Sequence, residues 1–157
     1  MIYSYFETAF GTTFAAADND QLCHLWFDGQ KHEPIWQYWK KIDGHPLFLT
    51  LKGQLEQYAK GERTEFNLPL NPKGTEFQMR VWQALLEIPF GQSSNYGALA
   101  AKLNKPTAAR AVGAAVGKNP LSILIPCHRV IGKDGSLTGF ASGLEMKKKL
   151  LRVEGLV

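Results

Sequence analysis

The sequence predicts an α+β fold in two parts: a small antiparallel sheet with helices over residues 1–71, then a mainly helical domain over 72–157 with a helix-turn-helix. Three observations point there. The first 27 residues are rich in strand-favouring side chains broken by turn residues, and the second half repeats apolar residues at helical spacing between capping residues and prolines. The third is charge: residues 1–71 hold six Lys/Arg against nine Asp/Glu, a net −3, whereas 72–157 hold twelve against five, a net +7. A polyanion is therefore expected on the second half.

Taken in order, Tyr3, Tyr5 and Phe6, then Thr12 to Phe14, then Leu22 to Phe27 favour extended chain, with Gly11 and Asp18-Asn19-Asp20 as the turns. After His45-Pro46, the spacing of Leu47, Phe48, Leu51, Leu55 and Tyr58 predicts one amphipathic helix that stops at Gly61. Asn67 to Gly74, with two prolines, reads as a linker between the two parts. Thr75 and Gln78 form a capping box ahead of the stripe Phe77, Val81, Trp82 and Leu85, which ends at Pro89 and Gly91. Tyr96–Leu103, a break at Asn104-Lys105-Pro106, and a helix capped by Thr107 and running to about Gly117 make the helix-turn-helix. Ser142 and Glu145 offer a second capping box for a last helix bearing Leu144, Leu150 and Leu151.

Composition excludes several classes. With 45% hydrophobic and 20% charged residues the chain is of ordinary globular type. Its longest apolar runs, such as Leu121–Pro126, fall far short of the roughly 20 residues that span a bilayer, and its first residues do not resemble a secretory leader, so a cytoplasmic location is expected. Cys23 and Cys127 lie about 100 positions apart, which is neither a disulfide framework nor metal-ligand spacing.

The helix-turn-helix has two readings, a packing motif or a DNA-binding one. Its second helix is unusually smooth: Ala108, Ala109, Ala111, Gly113, Ala114 and Ala115 surround a single long cation, Arg110. Base readout in a major groove needs long polar side chains, which are missing. A smooth helix with one Arg suits close approach to a minor groove and filling of the space left by an extruded base.

Ile123 to Val130 delivers Cys127, His128 and Arg129 together. A cysteine after an apolar run is commonly inert core, but a nucleophilic one needs a base or a positive field, since a free thiol is only a few per cent ionised at neutral pH. In an extended strand His128 points away from Cys127, so the two cooperate only if the chain turns there or a water bridges them. Glu154 is a candidate to orient the imidazole and Asn119 a candidate to fasten the turn. Cys23, beside His24 in an expected strand, reads as core packing.

These residues together resemble the O6-alkylguanine-DNA alkyltransferase family, also called methylated-DNA-protein-cysteine methyltransferases. The likeness rests on Gly74-Thr75, Phe77-Gln78, Val81-Trp82, Ala109 to Gly113, Asn119-Pro120, Ile125 to Val130, and Leu150 to Gly155; the first 71 residues match only in general character. The resemblance implies single-use repair of double-stranded DNA carrying O6-alkylguanine, and of O4-alkylthymine, by alkyl transfer to Cys127, with no cofactor, by a monomer. It further implies that His128 removes the thiol proton through a water, Glu154 orients His128, and Asn119 holds the turn. Arg110 intercalates, with Ala108, Ala109 and Gly113 on the DNA-facing helix, and Tyr96 helps rotate the nucleotide out and hydrogen-bonds the base. Val130 and Ala141 face the guanine through their backbones, and Phe140 and Ser122 complete the pocket. Ser142 stands where the family commonly has Gly, and Ser122 where some members have Pro. Some members hold zinc in the first domain; Cys23-His24 without a second nearby cysteine argues against that here. The competing functions are a lesion-binding relative without the cysteine, a sequence-specific regulator and a cysteine hydrolase. They are set aside, respectively, by Cys127, by the smooth second helix, and by the turnover that a hydrolase requires.

Overall fold

Burial along the second strand explains the sheet. In the computed structural model, which describes residues 1–157, β1 (Ile2–Thr8), β2 (Gly11–Asp18) and β3 (Gln21–Phe27) pair antiparallel in the order β3-β2-β1. Ala15, Ala16 and Ala17 on β2 are all buried, because both faces of the sheet are covered. Ala15 and Ala17 face the main core, while Ala16, Phe14 and Trp26 form a second cluster closed by Trp36 and Trp39. Asn19 and Asp20 both take left-handed φ values, 50° and 59°, the geometry of a tight hairpin turn and one that these two residue types tolerate.

The sheet is not purely antiparallel, as the sequence had implied. A two-residue strand, β4 (Lys40–Lys41), pairs parallel to Ile2 and Tyr3. The cause is the aromatic cover: to lay Trp36 and Trp39 over the outer face, the chain must return across the sheet, and it arrives beside β1. Two lysines at this edge leave little for a foreign strand to pair with.

Helix α1 (Pro46–Ala59) starts where proline at its first turn predicts, and His45 Nδ1 accepts from Leu47 N–H at 3.1 Å. Its buried face is Phe48, Leu51, Gln54, Leu55 and Tyr58, the helical stripe seen in the sequence plus one glutamine. Gln54 explains its own burial by clamping Asn67, donating to its carbonyl at 3.2 Å and accepting from its N–H at 3.0 Å. The expected linker is thus a fixed strap. Leu22 N–H donates to Pro69 O and Asn71 N–H to Leu22 O, tying it along β3. The main core of 28 buried residues draws on both halves of the chain without a break at this strap.

Helix α2 (Glu76–Leu86) carries the predicted capping box, with Gln78 N–H to Thr75 Oγ1 at 3.1 Å and Thr75 N–H to Gln78 Oε1 at 2.9 Å. Trp82 Nε1 donates to Ala115 O at 2.9 Å and so locks α2 to α4 (Ala109–Gly117). Helix α3 (Tyr96–Lys102) is capped by Asn95, and Arg80 donates to the Leu103 carbonyl just past its end. Asn104, with φ 60°, makes the break of the helix-turn-helix.

Two expected caps are absent. Thr107 does not cap α4: Ala108 holds that position in a near-helical conformation, because a turn from Lys105 to Ala108 runs straight into the helix and leaves no extended residue for a hydroxyl to reach back from. Ser142 and Glu145 do not form a capping box on α5 (Leu144–Val153). The cap is Gly143, with φ 92° and ψ 157°, and Ser142 Oγ instead donates to Gln30 Oε1 at 3.0 Å. No helix is long and apolar enough to cross a membrane.

Gly74 is required by packing, since a Cβ there would meet the Trp82 indole at 2.5 Å, whereas one on Gly53, exposed on α1, would meet nothing within 4 Å. Gly74→Ala is expected to cost about 1–3 kcal/mol as overpacking, and Gly53→Ala to stabilise by about 0.5–1 kcal/mol as a better helix former. Urea unfolding of the two variants checks the pair; equal effects would contradict the packing.

Candidate active site

The segment before Cys127 is wound tightly and held at both ends. Leu25 N–H donates to Pro120 O and Ser122 N–H to Leu25 O, so β3 grips the chain just ahead of the cysteine. A proline at 122 would forfeit the second of these bonds. Asn119 fastens the turn as expected: its side chain accepts from Leu121 N–H at 2.9 Å and donates to Ile125 O at 2.8 Å. Between these anchors Ile123 sits at φ 69°, a costly conformation for a β-branched residue that typically stores about 1–3 kcal/mol. Such strain persists only where surrounding bonds impose it, and here they surround the nucleophile.

Cys127–Arg129 is a single 3-10 turn, not a strand, so the chain does turn at the Cys-His pair. The turn brings all three side chains into the interior, with Cys127 6% and His128 0% exposed. His128 Nε2 lies 2.5 Å from Glu154 Oε2. An ionised carboxylate only accepts, so Nε2 carries the proton, and in the neutral ring the lone pair is on Nδ1. Nδ1 is buried and makes no hydrogen bond within the protein.

Glu154, at the C-terminal cap of α5, is the hub. Its oxygens accept from His128 and from Arg129 Nε at 2.8 Å and Nη2 at 3.2 Å, as well as from Tyr58 Oη at 2.6 Å and Gly91 N–H at 3.1 Å. Burial works against its charge, but the donors from His128 and Arg129 win and hold its pKa at about 2. Burial keeps His128 below its ordinary range, against the pull of Glu154, so the imidazole is neutral at pH 7. Cys127 is pushed up to about 11 by burial, opposed by Asn119 and by the charge of Lys147. The site at rest is therefore a neutral thiol near a neutral base.

Cys127 opens on a cavity of about 40 Å³ lined by Tyr96, Gly113, Val116, Gly117, Asn119, Ser122, Gly139, Phe140 and Ala141. This gathers most of the residues expected there. It has room for water but not for a purine, so a purine enters only if the rim parts. The rim is closed by Tyr96, whose hydroxyl is hydrogen-bonded to Thr138 Oγ1 at 2.8 Å and whose ring lies over Gly113. Val130 lies outside this lining; its carbonyl accepts from Lys147 Nζ at 2.5 Å, which leaves one lone pair free. Ala108 and Ala109 are half-buried and Arg110 is exposed on the outer side of α4, beyond the cavity. A larger cleft of about 500 Å³ between residues 64–70 and Phe90 backs onto Pro126 and Arg129 but is lined by neither Cys127 nor His128.

Three participants escape a reading of the sequence. Arg129 adjoins the Cys-His pair and its charge was the available signal. Lys147 is one of three consecutive lysines on α5, yet it is 1% exposed, while Lys149 donates to Ala9 O and only Lys148 pairs with Glu145. Tyr58 belonged to an apolar stripe, and nothing in its spacing distinguishes it from core.

Comparison with known proteins decides the family. The 6-O-methylguanine DNA methyltransferase ribonuclease-like domain matches residues 1–72, and the DNA binding domain of the same name matches 76–156. The chain belongs to the 6-O-methylguanine DNA methyltransferase family. A methylated-DNA--protein-cysteine methyltransferase of Haemophilus influenzae is 45% identical over 98% of this chain and 86% of its own length. The Methanosarcina acetivorans protein of that name is 44% identical over 99% of both. Among solved structures, that of Mycobacterium tuberculosis OGT in complex with DNA superposes with a TM-score of 0.92 at 40% identity, covering 98% of this chain and 92% of the other.

Within this methyltransferase chain the Glu154 hub has a measurable signature. Its folded pKa lies below the ordinary 4.5, so its contribution is complete above that value and is lost as pH falls toward about 2. Glu154→Gln leaves Arg129 buried without its counter-charge and is expected to cost about 3–5 kcal/mol at pH 7. The gap between wild type and variant should shrink as pH is lowered from 5 to 2, as followed by urea unfolding. A constant gap would contradict the assignment.

Proposed function

We propose that this chain repairs DNA by moving the alkyl group of O6-alkylguanine onto Cys127, and that each molecule does so once. The observation that carries this reading is a buried, un-ionised Cys127 that opens on a small cavity, next in the chain to a neutral His128 whose Nδ1 is buried and unbonded.

The steps balance. The Cys127 proton passes through a water to His128 Nδ1, and Glu154, already ionised, stabilises the imidazolium that forms. The thiolate attacks the alkyl carbon, the S–C bond forms, and the C–O6 bond breaks with its electrons on the base. Tyr96 donates a hydrogen bond to the departing guanine, which in sum regains at N1 the proton that the thiol lost. The thioether offers water no leaving group, so the cysteine is not regenerated.

DNA binding follows from the smooth face of α4. Small residues at Ala108, Ala109 and Gly113 let the helix lie close to a minor groove, and Arg110 fills the stack where the nucleotide leaves. Tyr96 and the Phe140–Ala141 rim give way to admit the base, with the Ala141 and Val130 backbones reading its edges and Ser122 bounding the floor. The partner is alkylated duplex DNA, the working unit a monomer, and the place the cytoplasm where chromosomal DNA is reached.

Intact-mass measurement after incubation with a duplex containing one O6-methylguanine tests the reading: a stoichiometric gain of one methylene equivalent, absent in Cys127→Ala, is expected. No gain in a folded protein overturns it. Arg110→Ala should slow transfer from duplex more than from a free O6-alkylguanine base, because extrusion costs a few kcal/mol that the free base does not require. Equal slowing on both would remove Arg110 from the extrusion step.

A further inference from the structure

The proposed chemistry draws on residues 96–154, yet one polar group in the proton-handling cluster comes from the other half of the chain. Tyr58, on α1, is 1% exposed, and its ring is set by Phe10, Phe66 and Phe90 at centroid distances of 6.0, 5.4 and 6.1 Å. Its hydroxyl donates to Glu154 Oε2 at 2.6 Å, the same oxygen that His128 Nε2 reaches at 2.5 Å, and stands 3.4 Å from Nε2 itself. Packing alone calls for phenylalanine here, since burying a hydroxyl is costly unless it is bonded.

We propose that Tyr58 is a positioning residue of the transfer reaction: by sharing Glu154 Oε2 with His128, it tempers the carboxylate, sets the proton affinity of the imidazole, and couples α1 to the chemistry at Cys127. This rests on the function proposed above. Burial and the neighbouring Glu154 charge drive the phenol well above its ordinary range, so it remains a donor throughout the working pH range. The other charged and titratable groups facing His128 are Arg129 from its own turn, Lys147 from α5 and the Cys127 thiol beside it. Burial first, then Arg129 and Lys147, disfavour a positive charge on His128, and Glu154 favours it. A donor on Oε2 spreads the carboxylate charge and weakens that last pull. Burial already keeps His128 neutral, and the Tyr58 donor holds it further from protonation at rest.

The test is the single-turnover transfer rate against pH, on saturating O6-methylguanine duplex. It compares the full-length wild type, Tyr58→Phe, and protein carrying a ring-fluorinated tyrosine at position 58, a stronger donor of nearly the same shape. The rate falls as pH drops through the pKa of His128. Without the donor, that limb should move up by half a unit or more, slowing transfer there about threefold; with the stronger donor it should move down. His128 imidazole shifts by NMR in DNA-free protein should move in the same directions. Limbs and titrations superimposable on wild type overturn the proposal, and should the Phe variant not fold, the fluorinated protein alone decides. A wild type that transfers nothing defeats the repair reading instead, and the NMR titration, which needs no repair, still judges Tyr58.

Discussion

One buried carboxylate, Glu154 at the cap of α5, gathers five donors from three other stretches of chain: α1 through Tyr58, the loop after α2 through Gly91, and the cysteine turn through His128 and Arg129. A lone charge in such a place would cost far more than the fold could offset, so each donor must be in position for the others to be tolerated. The consequence is mutual. The carboxylate needs the turn at Cys127–Arg129 for its charge balance, and the turn needs the carboxylate to bury an arginine and a histidine. The geometry of the nucleophile is thereby tied to the closure of the whole protein.

The same logic runs through the segment ahead of the cysteine. Asn119 at one end and β3 along the side hold a chain that contains an isoleucine in left-handed conformation. The first half therefore does more than sit beside the second: through Leu25 it grips the cysteine segment, and through Tyr58 it reaches the proton-handling cluster. By contrast the smooth outer side of α4 and the rim around Phe140 carry few such bonds. Rigidity is concentrated behind the sulfur and freedom in front of it, as a site that must admit a large base requires.

Much of this was legible in the sequence, and the failures share a cause. Helical stripes, the Thr75–Gln78 capping box and the break at Asn104 depend on neighbours in the chain, and they appeared where expected. Cys127, His128, Asn119 and Glu154 were recognisable because their types suit one another chemically. What escaped was set by distant contacts. Ser142 gave up its cap to bond Gln30, 112 positions away. Tyr58 meets Glu154 across 96 positions. Nothing in a run of three lysines marks Lys147 as the one that α5 turns toward the Val130 carbonyl, and β4 arose only because two tryptophans had to cover a sheet face. Periodicity records which face of a helix is buried; it is silent on which buried tyrosine has a partner.

In the transfer proposed above, the Cys127 thiol is kept protonated until His128 takes its proton. That is measured most directly by the ultraviolet absorbance of the thiolate in DNA-free protein, taken as the difference between wild type and Cys127→Ser across a pH series. No thiolate at neutral pH, with titration up near 11, is the predicted result. A Cys127 that ionises at or below pH 7 would show a nucleophile already activated by its surroundings, and would contradict the relay through His128 and Glu154.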